Sequence, residues 1–170
     1  MSGIGKTAFL RWFIEHQIER NEWIDYVLWI KKPQVTYDIK TSIKQMGNLD
    51  EHSFQTFCLA FNVVVVIDDA ENVIEELPTL SHWLKNCFVL MSAKHQYISP
   101  YIDLHLTFYE LDDAQTKKLI NQAYTNASVR EDLVSPAYIN AIRRVTGGNP
   151  TAILLVAQQY ALGNFGTSHF

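Results

Sequence analysis

The sequence predicts an α/β fold, a parallel sheet with interleaved helices followed by a small helical bundle, and three observations point to it. Residues 63–67, Val-Val-Val-Val-Ile, form an apolar run with no polar alternation, too short for a helix and rich in β-branched side chains. Such a run reads as a central strand covered on both faces. Before it, Gly3-Ile4-Gly5-Lys6-Thr7 leads into a segment of helical period. Beyond Glu110 the punctuation becomes that of helices alone.

In chain order, Phe9, Leu10, Phe13, Ile14 and Ile18 keep a helical spacing over residues 7–20. Residues 26–30 form the next strand candidate, stopped by Lys31-Lys32-Pro33. A helix over residues 37–46 ends at Gly47, and a short helix spans residues 53–61. The strand 63–68 follows. Pro78 interrupts the next stretch, residues 80–84 read as a helical turn, and 87–91 as a strand that delivers Ser92-Ala93-Lys94 to the sheet edge carrying Asp68. Residues 104–109 alternate enough to predict a further strand. Asp112-x-x-Gln115 is a capping box for a helix to about residue 124. Ser135-Pro136 opens a helix to residue 145, stopped by Gly147-Gly148. Asn149-Pro150 opens a last helix over 151–162, ending at Gly163. The predicted division is an α/β part over residues 1–110 and a helical part over 111–170.

Composition narrows the function classes. A chain of 170 residues that is 48% hydrophobic can bury a sizeable core. A net charge of -4 gives no electrostatic case for nucleic acid or an anionic membrane, and the adjacent pairs Lys31-Lys32 and Arg143-Arg144 read as solvated element ends. No secretory leader and no apolar stretch of membrane-spanning length stand in the sequence. Cys58 and Cys87 lie in apolar surroundings and read as reduced core thiols, which favours a reducing, cytoplasmic setting. The six histidines show no i, i+4 pairing, so a structural zinc site is not expected.

Two motifs carry chemistry. Gly3-Ile4-Gly5-Lys6-Thr7 is the back half of G-x-x-x-x-G-K-[ST], whose first glycine would fall one residue before Met1. In such a loop successive backbone N–H groups curl around a phosphate, and glycines are required because side chains would block that approach. Lys6 would reach the terminal phosphates and Thr7 would hold a magnesium ion, while the following helix aims its positive end at the same charge. Alone, so short a motif is weak. The second is Asp68-Asp69, acids at the carboxyl end of a buried strand, where open α/β sheets bind ligands. The pair has the form of a Walker B motif, with Asp68 on the magnesium shell and Asp69 placed to activate a water. The plainer readings are a flexible N-terminus for the glycines and a helix-capping pair for the acids.

Together these segments resemble the NB-ARC nucleotide-binding module of the STAND-class signal-transduction P-loop ATPases, switch proteins related to plant resistance proteins and apoptosome scaffolds. Gly3-Ile4-Gly5-Lys6-Thr7-Ala8 resembles that family's phosphate loop, Tyr26-Val27-Leu28-Trp29-Ile30 its second strand, and Val63 through Asp69 its Walker B strand. Ser92-Ala93-Lys94 stands where the family usually has Thr-Thr-Arg or Thr-Ser-Arg, so Lys94 keeps the charge of the γ-phosphate sensor and loses the planar fork. Gly148-Asn149-Pro150-Thr151-Ala152 resembles a segment whose proline packs near the adenine; simple helix initiation explains Pro150 equally well.

The resemblance implies a phosphate-loop NTPase sheet lacking its first strand. That strand is central in the family, between the strand ending at Met91 and the one expected at 104–109, so its loss would leave two edges unpaired and the isolated chain marginal or aggregation-prone. On the same resemblance, the family's upstream base-contacting segment and its winged-helix domain would fall outside these 170 residues. The resemblance further implies an ATP/ADP-binding switch in signal transduction or defense response, with slow magnesium-dependent hydrolysis. Its partners would be the nucleotide and other domains of a longer parent chain, with self-association in the ATP-bound state as an option. The alternatives are a non-catalytic interaction module descended from such an ATPase and an ordinary turnover ATPase.

Overall fold

The computed structural model describes residues 4–21, 23–126 and 135–161. The chain divides into two compact units, one over Lys6–Thr107 and one that holds the described residues from Phe108 onward.

The first unit is a three-stranded parallel sheet, β1 (Tyr26–Lys31), β2 (Val63–Asp68) and β3 (Phe88–Met91), in the order β1-β2-β3. Every residue of β2 is buried, as an apolar run without alternation requires. Its two faces feed two cores. Val63, Val65 and Ile67 pack with Ile39 and Ile43 of α2 (Thr36–Gln45), Phe54 and Cys58 of α3 (Glu51–Ala60), and Leu80 and Trp83. Val64 and Val66 pack with Leu10 and Ile14 of α1 (Lys6–Asn21) and with Ile24. Helices therefore cover both faces of the sheet, and the acids that end β2 emerge between the two layers. The side chain of Ile18, the last residue of the predicted α1 stripe, lies outside the described residues.

Local chemistry sets the element boundaries. Residue 48, rather than Gly47, takes the left-handed conformation after α2: Asn48 has φ 57°, which asparagine tolerates better than most side chains. Asp50 caps α3 by accepting the Ser53 N–H at 2.8 Å, and that bond holds its carboxyl below the usual value of 3.8. A depressed native pKa contributes stability above the unfolded value and loses it as pH falls through the folded one. Asp50→Ala should thus lower the melting temperature at pH 7, and the gap from wild type should close as pH falls below about 3.8. Pro78 lies inside the short helix α4 (Leu77–Leu80), at a first-turn position where no N–H is needed, rather than breaking it.

The strand expected at residues 104–109 does not form. Leu104, Leu106 and Tyr109 are exposed, and no strand besides β2 pairs with β3 among the described residues. Alternation can mark one face, but a strand also needs a ladder partner for its N–H and C=O groups. This segment has no fully buried residue and joins no strand ladder among the described residues.

Cys58 is buried and Cys87 half-buried, both free. Burial, and then the neighbouring Cys58 thiol, pushes the Cys87 thiol up to about 12; burial also raises Cys58. Both remain protonated core groups at neutral pH, with little thiolate character.

The second unit packs α5 (Asp113–Asn126), α6 (Pro136–Thr146) and α7 (Pro150–Ala161) around Ile120, Tyr124, Ile139, Ile142, Ile153 and Ala157. The three predicted caps form. Asp112 N–H donates to Gln115 Oε1 while Gln115 N–H donates to Asp112 Oδ1, Ser135 accepts from Tyr138 N–H, and Asn149 Oδ1 accepts from Ala152 N–H. Gly163 lies outside the described residues. After α6, Gly148 has φ 74°, and its carbonyl accepts the Leu111 N–H at 2.9 Å. A Cβ there would stand 2.8 Å from the Leu111 carbonyl oxygen and 2.9 Å from Glu110 Cβ. Gly148→Ala should cost about 1–3 kcal/mol, from left-handed strain plus that clash, read as a lower denaturant midpoint.

Candidate functional site

The parallel register decides which residues meet at the carboxyl edge of the sheet. Lys31 is paired with Asp68, and Ile67 with Met91. One step further along, Lys32 and Asp69 leave the edge side by side, and Ser92 follows the end of β3.

Asp68 is buried. Thr7 Oγ1, at the start of α1, donates to its carboxylate, 2.8 Å from Oδ2 and 3.0 Å from Oδ1. The two residues are 61 positions apart in sequence. Ser92, buried itself, donates through Oγ to Asp68 Oδ1 at 2.6 Å. The same Ser92 oxygen accepts the Asp69 N–H at 2.9 Å, so one hydroxyl joins both acids. Ser92 N–H donates to the Ile67 carbonyl and Ala70 N–H to the Ser92 carbonyl, which fixes the ends of β2 and β3 to one another.

Asp69 adopts φ 62° and ψ 59°, the left-handed region, at the first residue past β2. Aspartate reaches that region more readily than most residues, yet the conformation still carries strain of the kind that accumulates at functional sites. Its Oδ2 is 3.6 Å from Lys32 Nζ. Lys6 is half-buried at the first position of α1, beside Thr7, and the first-turn amides of a helix have no intrahelical acceptor. Ile4 and Gly5 form a bend leading into α1, and Gly5 has φ 98°, where a side chain would be strained. Ala8 is exposed in the first turn of α1.

The structure thus brings together Thr7, Asp68, Asp69 and Ser92, with Lys6 adjacent in the chain. Gly3 lies outside the described residues. Lys94 meets this edge through its backbone: its N–H donates to Glu71 Oε1, and among the described residues its ammonium makes no hydrogen bond or ion pair. Pro150 belongs to the helical unit, where it occupies the first position of α7. Two participants are not legible as such from sequence. Ser92 reads there only as a polar group at the edge; its role as a bridge follows from being the residue after the strand in register with β2. Lys32 reads as a solvated strand end.

The Thr7–Asp68 contact offers oxygen donors only. No group of three or more His, Cys, Asp or Glu side chains gathers among the described residues, so these residues form no cage of such ligands. A hydroxyl and a carboxylate in contact are hard oxygen donors, the few-ligand arrangement that magnesium takes when phosphates and waters supply the rest of its shell.

Comparison with protein-family models, with curated proteins and with solved structures gave no match. Among the described residues, no helix is long and apolar enough to cross a membrane.

Proposed function

We propose that the chain is a nucleotide-binding domain of the phosphate-loop type. More narrowly, we read it as an ATP/ADP switch module similar to the NB-ARC domains, with slow magnesium-dependent hydrolysis. The observation that carries this reading is the Thr7–Asp68 contact, which joins the start of the helix after the glycine motif to the acid ending the central strand. The parallel order β1-β2-β3, with helices on both faces, supports the same reading.

On this reading the loop amides from Gly3 to Lys6, the Lys6 ammonium and the first turn of α1 bind the phosphates, and Thr7 and Asp68 hold magnesium. The ion, when bound, supplies positive charge against that of the phosphate oxygens. Asp69 orients a water and accepts its proton as the water oxygen bonds to the γ-phosphorus. The bond from that phosphorus to the bridging oxygen breaks, and ADP departs with the electron pair. Lys94 is the proposed sensor of the terminal phosphate. Ser92 keeps Asp68 and Asp69 in fixed relative positions, so the binding and hydrolytic roles stay coupled to one strand end. Signal transduction, partner domains of a longer chain and self-association in the ATP state belong to the same proposal.

Titration calorimetry of the chain with Mg-ATP and Mg-ADP tests it. Saturable binding of both, with turnover below about one per minute, supports a switch. Faster turnover moves the reading to an ordinary ATPase. No binding of either nucleotide moves it to a non-catalytic interaction module.

A further inference from the structure

Lys32 and Asp69 sit on neighbouring loops at the carboxyl edge of the sheet, and both take left-handed backbone conformations that side chains seldom adopt, with φ 47° and φ 62°. The Lys32 N–H donates to the Asp68 carbonyl at 2.7 Å, extending the β1-β2 ladder one bond past the strand ends. The Lys32 ammonium reaches Asp69 Oδ2 at 3.6 Å. Gln34 Nε2 donates to the Lys32 carbonyl at 3.0 Å, and Gln34 Oε1 accepts from Asn72 Nδ2 at 3.2 Å. The loop after β1 is therefore fastened to the end of β2 and the turn that follows it at three points, and one of them is the carboxylate proposed to handle the water.

We infer that Lys32 is a positioning residue for Asp69, holding its carboxylate in one orientation while Ser92 holds its backbone. The inference rests on the nucleotide reading above. Two independent contacts act on one aspartate: the Ser92 hydrogen bond on its N–H sets the Cα–Cβ direction, and the Lys32 ammonium, 3.6 Å from the carboxylate, favours one side-chain rotamer. An acid that must meet a water at hydrogen-bond distance needs that restriction, because each freely sampled rotamer dilutes the productive one. The Lys32 side chain is 75% exposed and that of Asp69 31%, so the pair is too hydrated to act as a strong structural ion pair. Its effect belongs to orientation and should be modest.

The experiment compares wild type, Lys32→Met and Lys32→Arg by three measurements on the full chain: single-turnover Mg-ATP hydrolysis, Mg-ADP affinity, and the Asp69 side-chain torsion in nucleotide-free protein, from three-bond NMR couplings. For Lys32→Met the expected results are a hydrolysis rate lowered roughly 3- to 10-fold, Mg-ADP affinity within about two-fold of wild type, and couplings averaged over rotamers. Lys32→Arg, which keeps the charge, should restore all three towards wild type. An unchanged or faster rate in Lys32→Met, a fixed torsion in that variant, or a matching loss of affinity would each overturn the inference while leaving the nucleotide reading in place. Wild-type protein that binds no Mg-ATP is a different outcome and removes both.

Discussion

Replacing Lys6 with alanine is expected to weaken Mg-ATP and Mg-ADP binding at least about 100-fold, on the order of 3 kcal/mol, as measured by calorimetry. The reasoning begins with the geometry of α1. Lys6 is its first residue, and Thr7, the second, is in contact with Asp68. The contact ties the helix start to the end of β2, so a phosphate at the first-turn amides would lie next to the Lys6 side chain. Amide dipoles bring partial charges to that place, whereas the ammonium brings a full one. Alanine retains the helix and removes that charge. A loss much smaller than about ten-fold would mean that the phosphates, if bound at all, do not use this loop.

The elements read correctly from sequence are those whose signal and cause coincide. Val63 to Ile67 is apolar at every position because both faces of β2 are covered, so burial is written directly into composition. The caps at Asp112, Ser135 and Asn149 were legible for a similar reason, since each is a bond between residues three positions apart. Residues 104–109 mislead because strand formation depends on a distant partner, and alternation carries no information about whether one exists. The site divides along the same line. Asp68 and Asp69 are visible as acids after an apolar run. Ser92 as their bridge, and Lys32 as the partner of Asp69, emerge only once the register of three parallel strands is known. A lysine before a proline looks like the solvated end of a strand until the turn at Lys32 swings it over the neighbouring loop.

Asp69→Asn separates binding from chemistry. The variant is expected to bind Mg-ATP within about three-fold of wild type while its single-turnover hydrolysis rate falls about 100-fold or more. Asparagine is the informative choice because it shares aspartate's tolerance of the left-handed region, so the φ of 62° at this position survives the exchange. The main-chain bond from residue 69 N–H to Ser92 Oγ does not depend on the side chain, and Asp68 with its Thr7 and Ser92 contacts is untouched. What disappears is a carboxylate able to take a proton from water, and with it the modest ion pair to Lys32; an amide of the same shape can still orient the water but cannot accept the proton. The size of the residual rate therefore divides the role. A fall of only a few-fold would assign Asp69 to orientation alone, while equal losses of affinity and rate would place it among the phosphate or magnesium contacts and remove the division of labour between the two acids.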